Sequence, residues 1–136
     1  MRWLPNGLTS AVRLEDHERS CSRSWWTVEV VGEASYQGNL QQEYRSHGGV
    51  DHDVKALATL IPEGGNKHDA NAVRVEIGRQ PVGYFTREMA AQYRAALGAS
   101  PGQCEAKIVG GFVLEDGTNA HFGVKLNIAW PPRFAK

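Results

Sequence analysis

The stretch that decides the fold runs from Asn66 to Glu88, NKHDANAVRVEIGRQPVGYFTRE. It opens on Asn66-Lys67-His68-Asp69-Ala70-Asn71, rich in polar side chains of the kind that bond to their own backbone in loops. Val73, Val75 and Ile77 then alternate with Arg74 and Glu76, the period-two pattern of a strand with one buried face. Gly78 breaks that run, and Pro81-Val82-Gly83-Tyr84-Phe85 reads as the returning arm of a hairpin. Thr86 stands at the N-cap position of a helix starting at Arg87, with Glu88 placed where the helix dipole favours negative charge.

Outward from this stretch the chain is mostly strand. Trp25 to Val31 is rich in aromatic and β-branched residues, with Trp26, Val28 and Val30 facing a core. Gly32 ends it, and Tyr36 follows in a short turn closing at Gly38. Gln41 to Val54 reads as a polar loop; its His47, Asp51, His52 and Asp53 match no metal-ligand spacing. Lys55 to Pro62 is apolar on both faces, which predicts a central strand. Beyond the hairpin, Met89, Tyr93 and Leu97 form one stripe of a helix, closed by Gly98 and by Ser100-Pro101-Gly102. Cys104 to Val109 returns to strand, Asp116-Gly117 signals a turn, and Phe122, Val124, Leu126 and Ile128 alternate along a last half-buried strand.

Met1 to Ser24 holds no period for long and reads as a loosely ordered arm, and 131–136 as a tail. What lies between, residues 25–130, is a small, mostly antiparallel β domain with one or two helices. Periodicity alone does not separate a closed barrel from an open α+β sheet.

At 136 residues the chain is one domain, and its 15 basic and 15 acidic residues cancel. A nucleic-acid partner would therefore need a local basic patch rather than a global field. Cys21 and Cys104 make no metal or redox motif and read as reduced thiols. No apolar signal core and no run of membrane-spanning length is present, which points to a cytoplasmic protein without a membrane partner. The sequence lacks a glycine-rich phosphate loop, a nucleophile elbow and a paired-histidine zinc motif. His68-Asp69 with Glu76 could suggest metal-assisted cleavage, but surface charge explains them better, and the chain reads as a non-enzyme without cofactor or metal.

Asn66, Asp69 and Asn71-Ala72, followed by Val82-Gly83-Tyr84-Phe85-Thr86-Arg87-Glu88, resemble the core signature of the HIRAN domain, a module of helicase-like repair ATPases. Val31 to Gly38 is similar to the first block of that family, and Ile108-Val109-Gly110-Gly111 and Phe122 to Leu126 to its closing strands. The resemblance implies an OB- or SH3-like antiparallel barrel with a packed helix. It also implies capture of single-stranded DNA at a free 3′ end, in the service of replication, repair or a mobile element. Tyr36, Tyr84 and Phe122 would then stack on bases, with His68 as a further face; Asn66, Lys67 and Arg87 would meet phosphate. Asp69 carries two readings, acceptor for a terminal 3′-hydroxyl or holder of its own Asx turn. Where end-binding members of the family carry an Arg and a second aromatic, this chain has Ala34-Ser35, which removes a phosphate contact. The alternative function is a peptide-interaction module using a groove or an exposed strand edge.

Overall fold

The structure is a computed structural model and describes residues 11–16, 28–49, 53–65, 69–110, 115–116 and 121–135. The fold is mostly β, with two helices against a mixed sheet. Its strands are β1 (Val12–Arg13), β2 (Val28–Glu29), β3 (Val54–Pro62), β4 (Val73–Ile77), β5 (Gln80–Tyr84), β6 (Gly102–Val109) and β7 (Gly123–Asn127). The helices are α1 (Gln37–Ser46), entered through a 3₁₀ turn at Glu33–Tyr36, and α2 (Arg87–Leu97). Sheet order is β2-β7-β6-β3-β4-β5, antiparallel throughout, and β1 adds a short parallel pairing to β6. The ladder is open; an isolated bridge links Val31, just past β2, to Tyr84 at the end of β5.

β3 is the centre of the sheet, paired to β4 on one side and β6 on the other. Its inner residues Val54, Ala58 and Leu60 join Val73, Val75 and Ile77 of β4 and Cys104, Ala106 and Ile108 of β6 in one buried cluster. Phe122 packs at the edge of that cluster, while Val124, Leu126 and Ile128 lie within it. The Cys104 thiol is free, and burial pushes it up to about 12; Cys21 lies outside the described residues.

The β4–β5 hairpin turns on Gly78 and Arg79, both at positive φ (60° and 65°), the conformation of the tight turns that match strand twist. Helix α2 begins where Thr86 accepts a bond from the Met89 N–H at 3.2 Å and ends where the Gly98 N–H bonds the Arg94 carbonyl at 2.8 Å. Its buried Tyr93 meets Phe85 edge-on, and Trp130 meets Phe85 from another side.

Three boundaries differ from the sequence expectation. Gln41 to Ser46, expected in a polar loop, is the body of α1. Leu40 and Tyr44, one turn apart, bury against the core, and Glu43 is buried beside the Gly78 turn. With only two apolar residues in ten, the helical stripe is too thin to read as a period. Residues 11–16, expected in a loose arm, belong to the fold: Leu14 is 1% exposed, bonds the Gln103 carbonyl through its N–H, and bridges Phe134. By the same contacts the expected 131–136 tail is tied down, with Pro132 buried, the Ala135 N–H on the Arg13 carbonyl, and Arg133 paired to Glu15 at 2.9 Å. Two-residue strand pairings are too short to show a pattern in sequence. Among the described residues no helix is long and apolar enough to cross a membrane.

Candidate functional site

The polar face of the hairpin and the far end of β3 meet at one place. Register sets Ile61 beside Arg74 and Arg74 beside Tyr84, and Tyr84 in turn faces Val31. Val31, Tyr84, Arg74 and Ile61 therefore form a row across the solvent side of the sheet. The backbones of Val31 and Tyr84 exchange two hydrogen bonds of 2.8 Å each. Gly83 allows this approach, because a Cβ there would strike the Val30 side chain and lie 2.8 Å from the Val31 carbonyl oxygen. A bulge between Val75 and Glu76 shifts the β4–β5 register just before this point and re-aims the end of β5.

Arg74 lies between two carboxylates. Its Nε donates to Glu76 at 2.8 Å, and its Nη1 pairs with Glu63. Burial works to lower the Arg74 pKa, and the charges and hydrogen bonds of Glu76 and Glu63 more than offset it, so the net shift is upward. Tyr84 is pushed up to about 12, first by burial, then by its hydroxyl bond to Glu63 and the negative charge there, with Tyr36 adding to the effect. The Glu33–Tyr36 turn packs on β5, so Tyr36 lies on the side of the sheet edge that carries Tyr84, and the raised pKa of Tyr84 keeps its phenol able to donate a hydrogen bond.

Tyr36 closes the 3₁₀ turn and caps α1, half-buried. The next residue, Gln37, holds the start of β7: its amide oxygen accepts from the Phe122 N–H at 2.8 Å, and its nitrogen donates to the Phe122 carbonyl at 2.9 Å and to that of Glu33 at 3.0 Å. Phe122 itself packs on Tyr44, ring centroids 5.0 Å apart, against the core. Its ring is engaged in packing against Tyr44.

Asp69 is seen in one of its two readings. Its Oδ1 accepts from the Asn71 N–H at 2.9 Å, an Asx turn, while its carbonyl takes the Ala72 N–H. Arg87 is exposed at the first position of α2. Asn66, Lys67 and His68 lie outside the described residues, as do Asp51 and His52. Among the described residues no group of three or more histidine, cysteine, aspartate or glutamate side chains could hold a metal ion.

The network of Glu63, Arg74 and Glu76 was not singled out as a unit from sequence. The signal was half present: Arg74 and Glu76 sit two apart on one strand face, but Glu63 joins them only through the β3–β4 pairing. Comparisons of the chain with protein-family models, curated proteins and solved structures find no match.

Proposed function

We propose that this chain is a HIRAN-like module that binds single-stranded DNA at a free 3′ end. The observation that carries it is the packing of the Glu33–Tyr36 turn on β5, which sets Tyr36 and Tyr84 on one side of the Val31 bridge. Base stacking on such rings contributes about 1–3 kcal/mol each and tolerates any base. Arg87 supplies a phosphate contact from the start of α2. In this reading the Val31–Tyr84 bridge is the seam of an OB- or SH3-like barrel.

Asp69 gives the end preference. A carboxylate has room for about four hydrogen bonds, and the turn bond to Asn71 takes one position on Oδ1. A peptide docked by strand addition is less well served at β5. Pro81 has no N–H to offer, and its carbonyl already accepts from Asn39 of α1 at 2.9 Å.

Labelled oligonucleotides ending in a 3′-hydroxyl or a 3′-phosphate, titrated at low salt, test the proposal. A lost charge-assisted bond of about 1.5–3 kcal/mol makes the phosphorylated end at least about tenfold weaker. Equal binding of both ends, or of circular single strands, overturns end recognition.

A further inference from the structure

A row of lysines crosses the solvent face of the sheet at the end away from the tyrosines. Lys55 of β3 faces Lys107 of β6, and Lys107 faces Lys125 of β7, each in direct register. All three sit at positions that alternate with buried residues, so their side chains share the outer face. Directly opposed like charges destabilise a sheet, so two consecutive Lys–Lys pairings are not explained by stability. Asp53 pairs with Lys107 at 3.5 Å, and beyond Lys125 the register continues to Glu29 of β2. Lys55 and Lys125 make no ion pair among the described residues.

The row is also placed to extend the tyrosine site. Ile61 of β3 lies in the same row as Arg74 and Tyr84, and Lys55 is six residues back along that strand, on the same face. At the strand rise this separates the two features by about 20 Å along β3. Between them β3 presents Thr59 and Leu57 on the outer face, the latter 46% exposed, with Glu76 and Glu105 of the neighbouring strands in register beside them, so a strand following this path lies on β3 itself.

We infer that Lys55, Lys107 and Lys125 form a second contact for the phosphodiester backbone of a single strand, which runs along the outer face of β3 from the tyrosine pair. The inference rests on the single-strand reading of Tyr36 and Tyr84 and adds a basic track to a chain whose total charge is zero.

The test is binding of a long 5′-labelled oligothymidylate across a salt series. A triple Lys55→Gln, Lys107→Gln, Lys125→Gln variant weakens binding at low salt and lowers the slope of log affinity against log salt by about 2, at about 0.7 per phosphate contact. Its melting temperature holds or rises, because opposed like charges are removed. The triple arginine variant keeps the wild-type slope; loss of the slope there too, or its retention in the glutamine variant, overturns the lysine track. A Tyr36→Ala, Tyr84→Ala variant weakens binding with the slope kept. If it binds as wild type while the glutamine variant loses slope, the track stands and the tyrosine reading fails. Absence of binding by the wild-type protein overturns both.

Discussion

Val31, just past β2, and Tyr84, at the end of β5, exchange a reciprocal pair of backbone hydrogen bonds, and the missing side chain of Gly83 makes that contact possible. Gly83→Ala forces a methyl into Val30 and the Val31 carbonyl. The expected cost is about 1–3 kcal/mol, as for overpacking in a core. Urea unfolding checks it, and DNA binding falls with it because Tyr36 and Tyr84 lose their common frame.

Leu14→Ala is expected to destabilise the protein by about 2–5 kcal/mol, the range for a fully buried leucine. Truncation before residue 25 removes the same contact together with the β1–β6 pairing, and is expected to lower the melting temperature at least as far. A truncated chain with wild-type melting would show that β1 adds nothing to the fold.

Asp69→Asn retains a side-chain oxygen for the Asn71 N–H, so the melting temperature stays near wild type while discrimination between 3′-hydroxyl and 3′-phosphate ends shrinks. Asp69→Ala removes the turn bond and costs about 0.5–1.5 kcal/mol in addition. Arg87→Ala weakens both oligonucleotides alike and lowers the salt slope by about 0.7.

Alkaline pH should weaken the fold in a defined window. Tyr84 ionises near 10 in an unfolded chain and only at about 12 in the folded one, so above 10 the unfolded state holds fewer protons. The contribution is fully present below 10 and is lost as pH rises through 12. Denaturant titrations across that range should show stability falling, and Tyr84→Phe should flatten the fall while keeping the aromatic ring.

Much of this was legible from residue patterns. The alternation of Val73, Val75 and Ile77, the Thr86 cap and the Gly98 stop all matched the structure, because each is a local signal whose physics acts within a few residues. The meeting of Val31 with Tyr84 was not legible, because it depends on a bridge between positions far apart in sequence. The α1 helix was hidden because Glu43, a charged residue, occupies part of its buried face. The lysine row was invisible for a different reason: residues 55, 107 and 125 acquire a relationship only when three strands are set in register.

The amide of Gln37 treats Phe122 as a neighbouring strand would, taking its N–H and bonding its carbonyl at once. The proton on that backbone nitrogen is therefore a reporter on another element. It is released whenever the Gln37 amide lets go, as when α1 lifts away, so its exchange rate responds to undocking of the helix that carries Tyr36 at its cap. A ligand that holds Tyr36 in place slows exchange at Phe122, although the two residues are joined by no covalent path shorter than most of the chain.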